Sequence, residues 1–174
     1  MNPDSSPRPS HRVIAWAVLR VVASVAVVEA LYYSLPFDHA STAEVVAILI
    51  IGLAVFMALV GSQVRAIVRS PFPVLRGVEA LAVSVPLFLA LFASSYFVMA
   101  RLAAASFGTP LTRTDALYFT VTVFSTVGFG DITPKTQGAR LVVTGQMIAD
   151  LVILGIAIRI VIEAVKRGRS TASR

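Results

Sequence analysis

The chain has 174 residues, 57% of them hydrophobic and 14% charged, with a net charge of +6 and a mean hydropathy of +0.84. That composition excludes a water-soluble domain of this size and makes the chain a membrane protein. Cysteine is absent, which removes disulfides and thiolate metal sites, and the positive charge is better explained by arginines at membrane surfaces than by nucleic-acid binding.

In chain order, a polar tail over residues 1–12 carries Arg8 and Arg12. Four apolar runs follow, at 13–35, 45–64, 81–100 and 141–162. Each reaches the roughly 20 residues that a helical bilayer crossing needs, and lipid leaves their backbone groups no partner but the helix itself. The first run is longer than a signal-peptide core and contains Arg20 and Glu29, so it reads as a span. Arg8, Arg12, Arg65, Arg69, Arg76, Lys166, Arg167, Arg169 and Arg174 fall on one side of these spans. Arg101, Arg113, Lys135 and Arg140 fall on the other, which predicts cytoplasmic termini. The stretch 65–79, with Pro71 and Pro73, then faces inward, and the segment 101–140 faces outward. The dominance of arginine among the basic residues, with abundant Ala and Val, points to a GC-rich bacterial source.

The outer segment is too long for a simple connection. Thr112 with Asp115 forms a capping pair, followed by about three turns of apolar residues. So short a helix cannot cross; it reads as a re-entrant helix whose carboxyl end delivers Thr126 to Gly130 at depth. Non-helical backbone is tolerated there only if buried or lining a watery path. Two glycines around one aromatic, in "STVGFGDITP", indicate a backbone with unusual dihedrals in successive units.

TVGFGD, between a short helix and a final span, resembles the selectivity signature of the potassium channel pore-domain family. The resemblance covers roughly residues 80–166. It implies that carbonyls of Thr126, Val127, Gly128 and Phe129 replace water around a potassium ion, with Gly130 completing the motif and Asp131 at the outer mouth. It further implies that Val127 and Phe129 pack outward, and that four chains surround one pore, because each chain holds one filter strand. The fold expected is therefore all-α: four transmembrane helices, a re-entrant pore helix and a selectivity filter, tetrameric around a central pore. The segments are a tail over 1–12, two peripheral helices and their linker over 13–79, the pore module over 80–166 and a cytoplasmic tail over 167–174. No cofactor beyond the permeant potassium ion is implied. Anionic lipid and a separate regulatory subunit are candidate partners, and the expected location is the plasma membrane. A glycine-rich outer turn is the plain alternative for TVGFGD taken alone, and the preceding half-helix and following aspartate argue against it.

Departures from the family are informative. Eight residues follow Lys166, so no cytoplasmic sensing domain is expected in this chain; no arginine ladder is seen, and the places of the aromatic pair behind the filter fall at Phe119 and Phe129. Asp150 lies where relatives carry a hinge glycine; with Gln146 on the same helical face it is read as lining the central cavity, a structural carboxyl being the alternative. Gly145 and Gly155 are hinge candidates, and Ala157, Ile158 and Val161 candidates for an inner gate. Arg159 falls out of phase with Asp150 and is given a structural role with Glu163 or lipid phosphate. Arg20 is expected to snorkel to the inner surface and Glu29 to pair with Arg101. His11 and His39 form no metal-ligand pattern. A non-selective cation channel, a small proton-coupled transporter using Glu29, Arg20 and Asp150, and an accessory subunit are the alternatives; no nucleophile or nucleotide loop argues for an enzyme.

Overall fold

The computed structural model describes residues 11–34, 42–69 and 73–172, with side chains described except at 11–17, 20, 42, 45, 68, 73–75 and 163–172. The expectations for the first ten residues, for His39 and Pro71, and for the side chains of His11, Arg20 and Glu163 lie outside that set. Among the described residues the protein is all-helical: α1 (His11–Ser34), α2 (Thr42–Val68), α3 (Pro73–Leu102), α4 (Arg113–Phe124) and α5 (Gln137–Ala172), with a 3-10 turn over Ala104–Ser106. Among the described residues three segments, Val46–Ile67, Arg76–Leu102 and Gln137–Ile162, are long and apolar enough to cross a membrane, and α1 contributes the shorter apolar stretch Val21–Ser34.

Helix ends follow local chemistry. Pro73 opens α3, where its missing N–H costs nothing and its fixed φ suits a first turn. Thr136 accepts from the Ala139 N–H at the start of α5 (3.3 Å). Pro86 sits inside α3, where it removes one helical hydrogen bond.

The third helix is the hub, with α1, α2, α4 and α5 all packed on it. Its C-terminal half supplies the core, in which Tyr96, Phe97, Val98 and Ala100 meet Phe107, Leu111, Ala116, Phe119, Ala139 and Val143. Edge-to-face ring pairs run through it: Tyr96 lies 5.1 Å from Phe119 and 5.8 Å from Phe107, and the latter two are 5.6 Å apart. At the opposite end α3 and α5 approach closely, since a Cβ at Gly77 would come within 2.9 Å of Ile160 Cδ1. Between these two contacts the helices part around an apolar cavity of about 670 Å³, lined among others by Pro86, Val123, Thr126, Asp150, Leu154 and Ala157. Away from that cavity Val22, Val27, Ile50, Ile51 and Met57 all present their side chains outward.

Candidate functional site

The short helix α4 begins with the capping box read from the sequence. Thr112 Oγ1 accepts from the Asp115 N–H (3.1 Å), and Asp115 Oδ2 accepts from both the Thr112 hydroxyl (2.6 Å) and the Thr112 N–H (2.9 Å). Those two bonds, the hydroxyl's first, hold the Asp115 carboxyl below its ordinary 3.8. A lowered folded value means that the stabilisation is fully present above the unfolded value and is lost as pH falls through the folded one. Thr112→Ala should therefore cost about 0.5–2 kcal/mol at neutral pH. Thermal denaturation followed from neutral pH into the acid range should show the variant's deficit shrinking as Asp115 protonates.

At its carboxyl end α4 runs directly into the glycine motif. The Ser125 N–H donates to the Val121 carbonyl (2.9 Å) and the Thr126 N–H to that of Val123 (3.0 Å). The Thr122 carbonyl accepts from both the Val127 N–H (3.1 Å) and the Gly128 N–H (3.2 Å), so the motif's own backbone closes the helix. Beyond that point φ is positive at Thr126 (+60°), Gly128 (+53°) and Gly130 (+80°), and at no other described non-glycine residue besides Thr126. The sequence anticipates the glycines; it does not anticipate Thr126. A β-branched residue in the left-handed region is an outlier, and strain of this kind persists only where surrounding structure imposes it. Thr126 through Asp131 are all exposed on the protomer, with Phe129 71% accessible, so the segment is laid along a surface rather than packed into a core.

Tyr118, rather than Phe119, stands behind the motif. Its ring stacks on that of Phe129 at 6.3 Å and 5°. Phe119 faces the other way, into the Tyr96 and Phe107 cluster. The reason is helical phase: adjacent residues on α4 point about 100° apart, and the core claims the more apolar ring.

Gln146 and Asp150 share a face as expected, and that face is turned into the protomer. Gln146 is completely buried, with every amide group engaged. Its Oε1 accepts from the Tyr96 hydroxyl (2.6 Å), while its Nε2 donates to the Thr120 carbonyl (3.1 Å) and to Asp150 Oδ2 (3.3 Å). One side chain thus ties α3, α4 and α5 together. Asp150 is 8% exposed, borders the cavity it shares with Thr126, and leaves Oδ1 without a hydrogen-bond partner. Ala157 and Val161 border the same cavity, whereas Ile158 points outward. Gly145 and Gly155 are exposed, with nothing within 4 Å of an added Cβ, so neither serves close packing within the protomer. Arg159 is exposed, in keeping with its phase against Asp150. Among the described residues no group of His, Cys, Asp or Glu could hold a metal ion. Tyr96, Tyr118, Arg113 and Tyr32 escape a reading of the sequence. The available signal was a polar hydroxyl or charge inside or beside an apolar run, which names a residue but not its partner.

Comparison with known proteins places the motif in context. Residues 84–167, just under half of the chain, match the family model described as Ion channel. A stretch of 27 residues is 70% identical to the potassium channel protein kcv of Paramecium bursaria Chlorella virus 1. That stretch is 16% of this chain and 29% of the viral protein, so the match spans under a third of the relative's length. No solved structure matches. The similarity is therefore to an ion-channel model over residues 84–167 and to a potassium channel protein over 27 residues; it supports a non-catalytic transport protein with long apolar helices.

Proposed function

We propose, from the ion-channel kinship of residues 84–167, that the chain forms one quarter of a potassium-selective pore. The carrying observation is the left-handed backbone recurring at Thr126, Gly128 and Gly130, at the carboxyl end of a short capped helix. Alternating hands turn successive carbonyls toward one side, and four such strands make rings of oxygens that replace an ion's hydration shell. In this reading Thr126, Val127, Gly128 and Phe129 supply the carbonyls, Gly130 ends the filter and Asp131 concentrates cations at the outer mouth. The carboxyl end of α4 adds partial negative charge beneath the filter. Phe129, exposed on the isolated protomer and stacked on Tyr118, is the outward buttress that keeps the ring open.

The remaining parts follow from that core. All four long helices span the plasma membrane with both termini inside, α1 and α2 being peripheral to a pore module over 80–166. Four copies are required, because one chain offers one filter strand. Asp150, next to the cavity below Thr126, biases that space toward cations, with Gly145 and Gly155 as bending points and the Ala157, Ile158 and Val161 turn as inner gate.

The test is the reversal potential of purified protein in planar bilayers, with potassium on one side and sodium on the other. A reversal displaced far from zero, in the sense that opposes potassium flow, is expected. Equal permeability would demote the protein to a non-selective cation channel, and flux that needs a proton gradient would replace the pore by a transporter.

A further inference from the structure

The outer end of α1 meets the first turn of α4 through reciprocal bonds. Arg113, the first residue of α4, donates from Nη1 to the carbonyl of Tyr32 (2.8 Å) and to that of Tyr33 (3.2 Å). Both belong to the last turn of α1, whose carbonyls have no partner within their own helix. In return the Tyr32 hydroxyl, on a side chain 2% exposed, donates to the Arg113 carbonyl (2.7 Å), and the hydroxyls of Tyr33 and Thr114 are 3.3 Å apart. The guanidinium carbon lies 5.3 Å from the centre of the Phe97 ring on α3.

The charge has the wrong sign for α4 alone. A cation at a helix amino end opposes the dipole of that helix, whereas the same cation at the carboxyl end of α1 is favoured. Arg113 is therefore explained by α1 and not by the helix it begins. From this we infer that the outer turn of α1 is a positioning element for the filter, acting through Arg113; the inference rests on the pore reading of residues 126–130.

The mechanical path is short. The fourth helix is pinned near its middle, where Gln146 Nε2 holds the Thr120 carbonyl, and at its end Thr122 receives the Val127 and Gly128 N–H groups. At 1.5 Å rise per residue, Arg113 stands about 10 Å on one side of the Thr120 pin and Ser125 about 7.5 Å on the other. A rigid helix on such a pivot moves its filter end by about three quarters of the displacement at Arg113, in the opposite sense. The tyrosine turn of α1 sets that displacement, so α1 tunes the width of the filter without touching it. Arg113 and Tyr32 are positioning residues, and neither contacts the ion.

The test uses full-length protein in planar bilayers and compares Arg113→Ala, Arg113→Lys and Tyr32→Phe with the wild type. The potassium-to-sodium permeability ratio should fall by between about twofold and thirtyfold in Arg113→Ala, less in Tyr32→Phe. Arg113→Lys, which keeps a donor for the α1 carbonyls, should restore part of it. Amide hydrogen exchange of residues 114–124 gives a readout independent of current and should accelerate in Arg113→Ala. Ratios and exchange both unchanged in assembled protein would overturn the inference. If Arg113→Ala does not assemble, Tyr32→Phe, which removes one hydroxyl and keeps the ring, decides by the same measures. Absence of selective current from the wild type sinks the pore reading instead, and with it the role of α1 in selectivity.

Discussion

Gly128→Ala and Gly130→Ala should each abolish potassium-over-sodium discrimination, the largest effect expected of any single substitution in the chain. At both positions an added Cβ meets nothing within 4 Å of the protomer, so no clash inside one chain enforces glycine. Conformation enforces it: with φ at +53° and +80°, an L side chain costs roughly 1–2 kcal/mol per residue. In the four-chain pore proposed above the same substitution counts four times, about 4–8 kcal/mol in all. Relaxation of that strain rotates a peptide unit and turns its carbonyl off the axis, which removes oxygens from two adjoining ion sites. Bi-ionic reversal potentials of the two variants, on protein shown to assemble, measure this directly. Selectivity retained in both would mean that the carbonyls do not form the filter.

Gln146→Leu should be the most damaging change away from the glycine motif. Leucine fits the volume but strips partners from the Tyr96 hydroxyl, the Thr120 carbonyl and Asp150 Oδ2 together. A buried group left unsatisfied costs about 1–3 kcal/mol, and the Asp150 carboxyl, whose Oδ1 already lacks a partner, would lose the hydrogen bond at its other oxygen as well. Asp150→Asn should be far milder, because an amide oxygen still accepts from Gln146. Measured hydrogen bonds within membrane proteins average near 0.6 kcal/mol, so Tyr96→Phe alone should lower the melting temperature only slightly. Melting of the detergent-solubilised protein should therefore rank Gln146→Leu well below Tyr96→Phe and Asp150→Asn. Equal melting temperatures would show that the three helices are held by apolar packing and ring contacts alone.

The apolar runs could be read from the sequence because the requirement is local: a bilayer crossing needs length and apolar composition, whatever its neighbours. The structure extends those runs rather than moving them, α3 reaching back to Pro73 and α5 on to Ala172. The capping box of Thr112 and Asp115 was legible for the same reason, since its partners are three residues apart. Positive φ at Gly128 and Gly130 followed from the residue type; at Thr126 it did not, because nothing in a threonine announces a left-handed backbone.

What the sequence by itself determined was thus whatever depends on near neighbours: a helical membrane protein, a short capped helix and a glycine motif at its end. Only the tertiary structure decided which side chains meet across the chain. It put Tyr118 rather than Phe119 behind Phe129, joined Tyr96 to Gln146 across 50 residues, and bound Arg113 to the end of α1 across 81. Each of these depends on the rotation of one helix about its axis relative to another. In a chain whose spans are apolar on nearly every face, composition does not mark the inward side, and packing fixes that rotation.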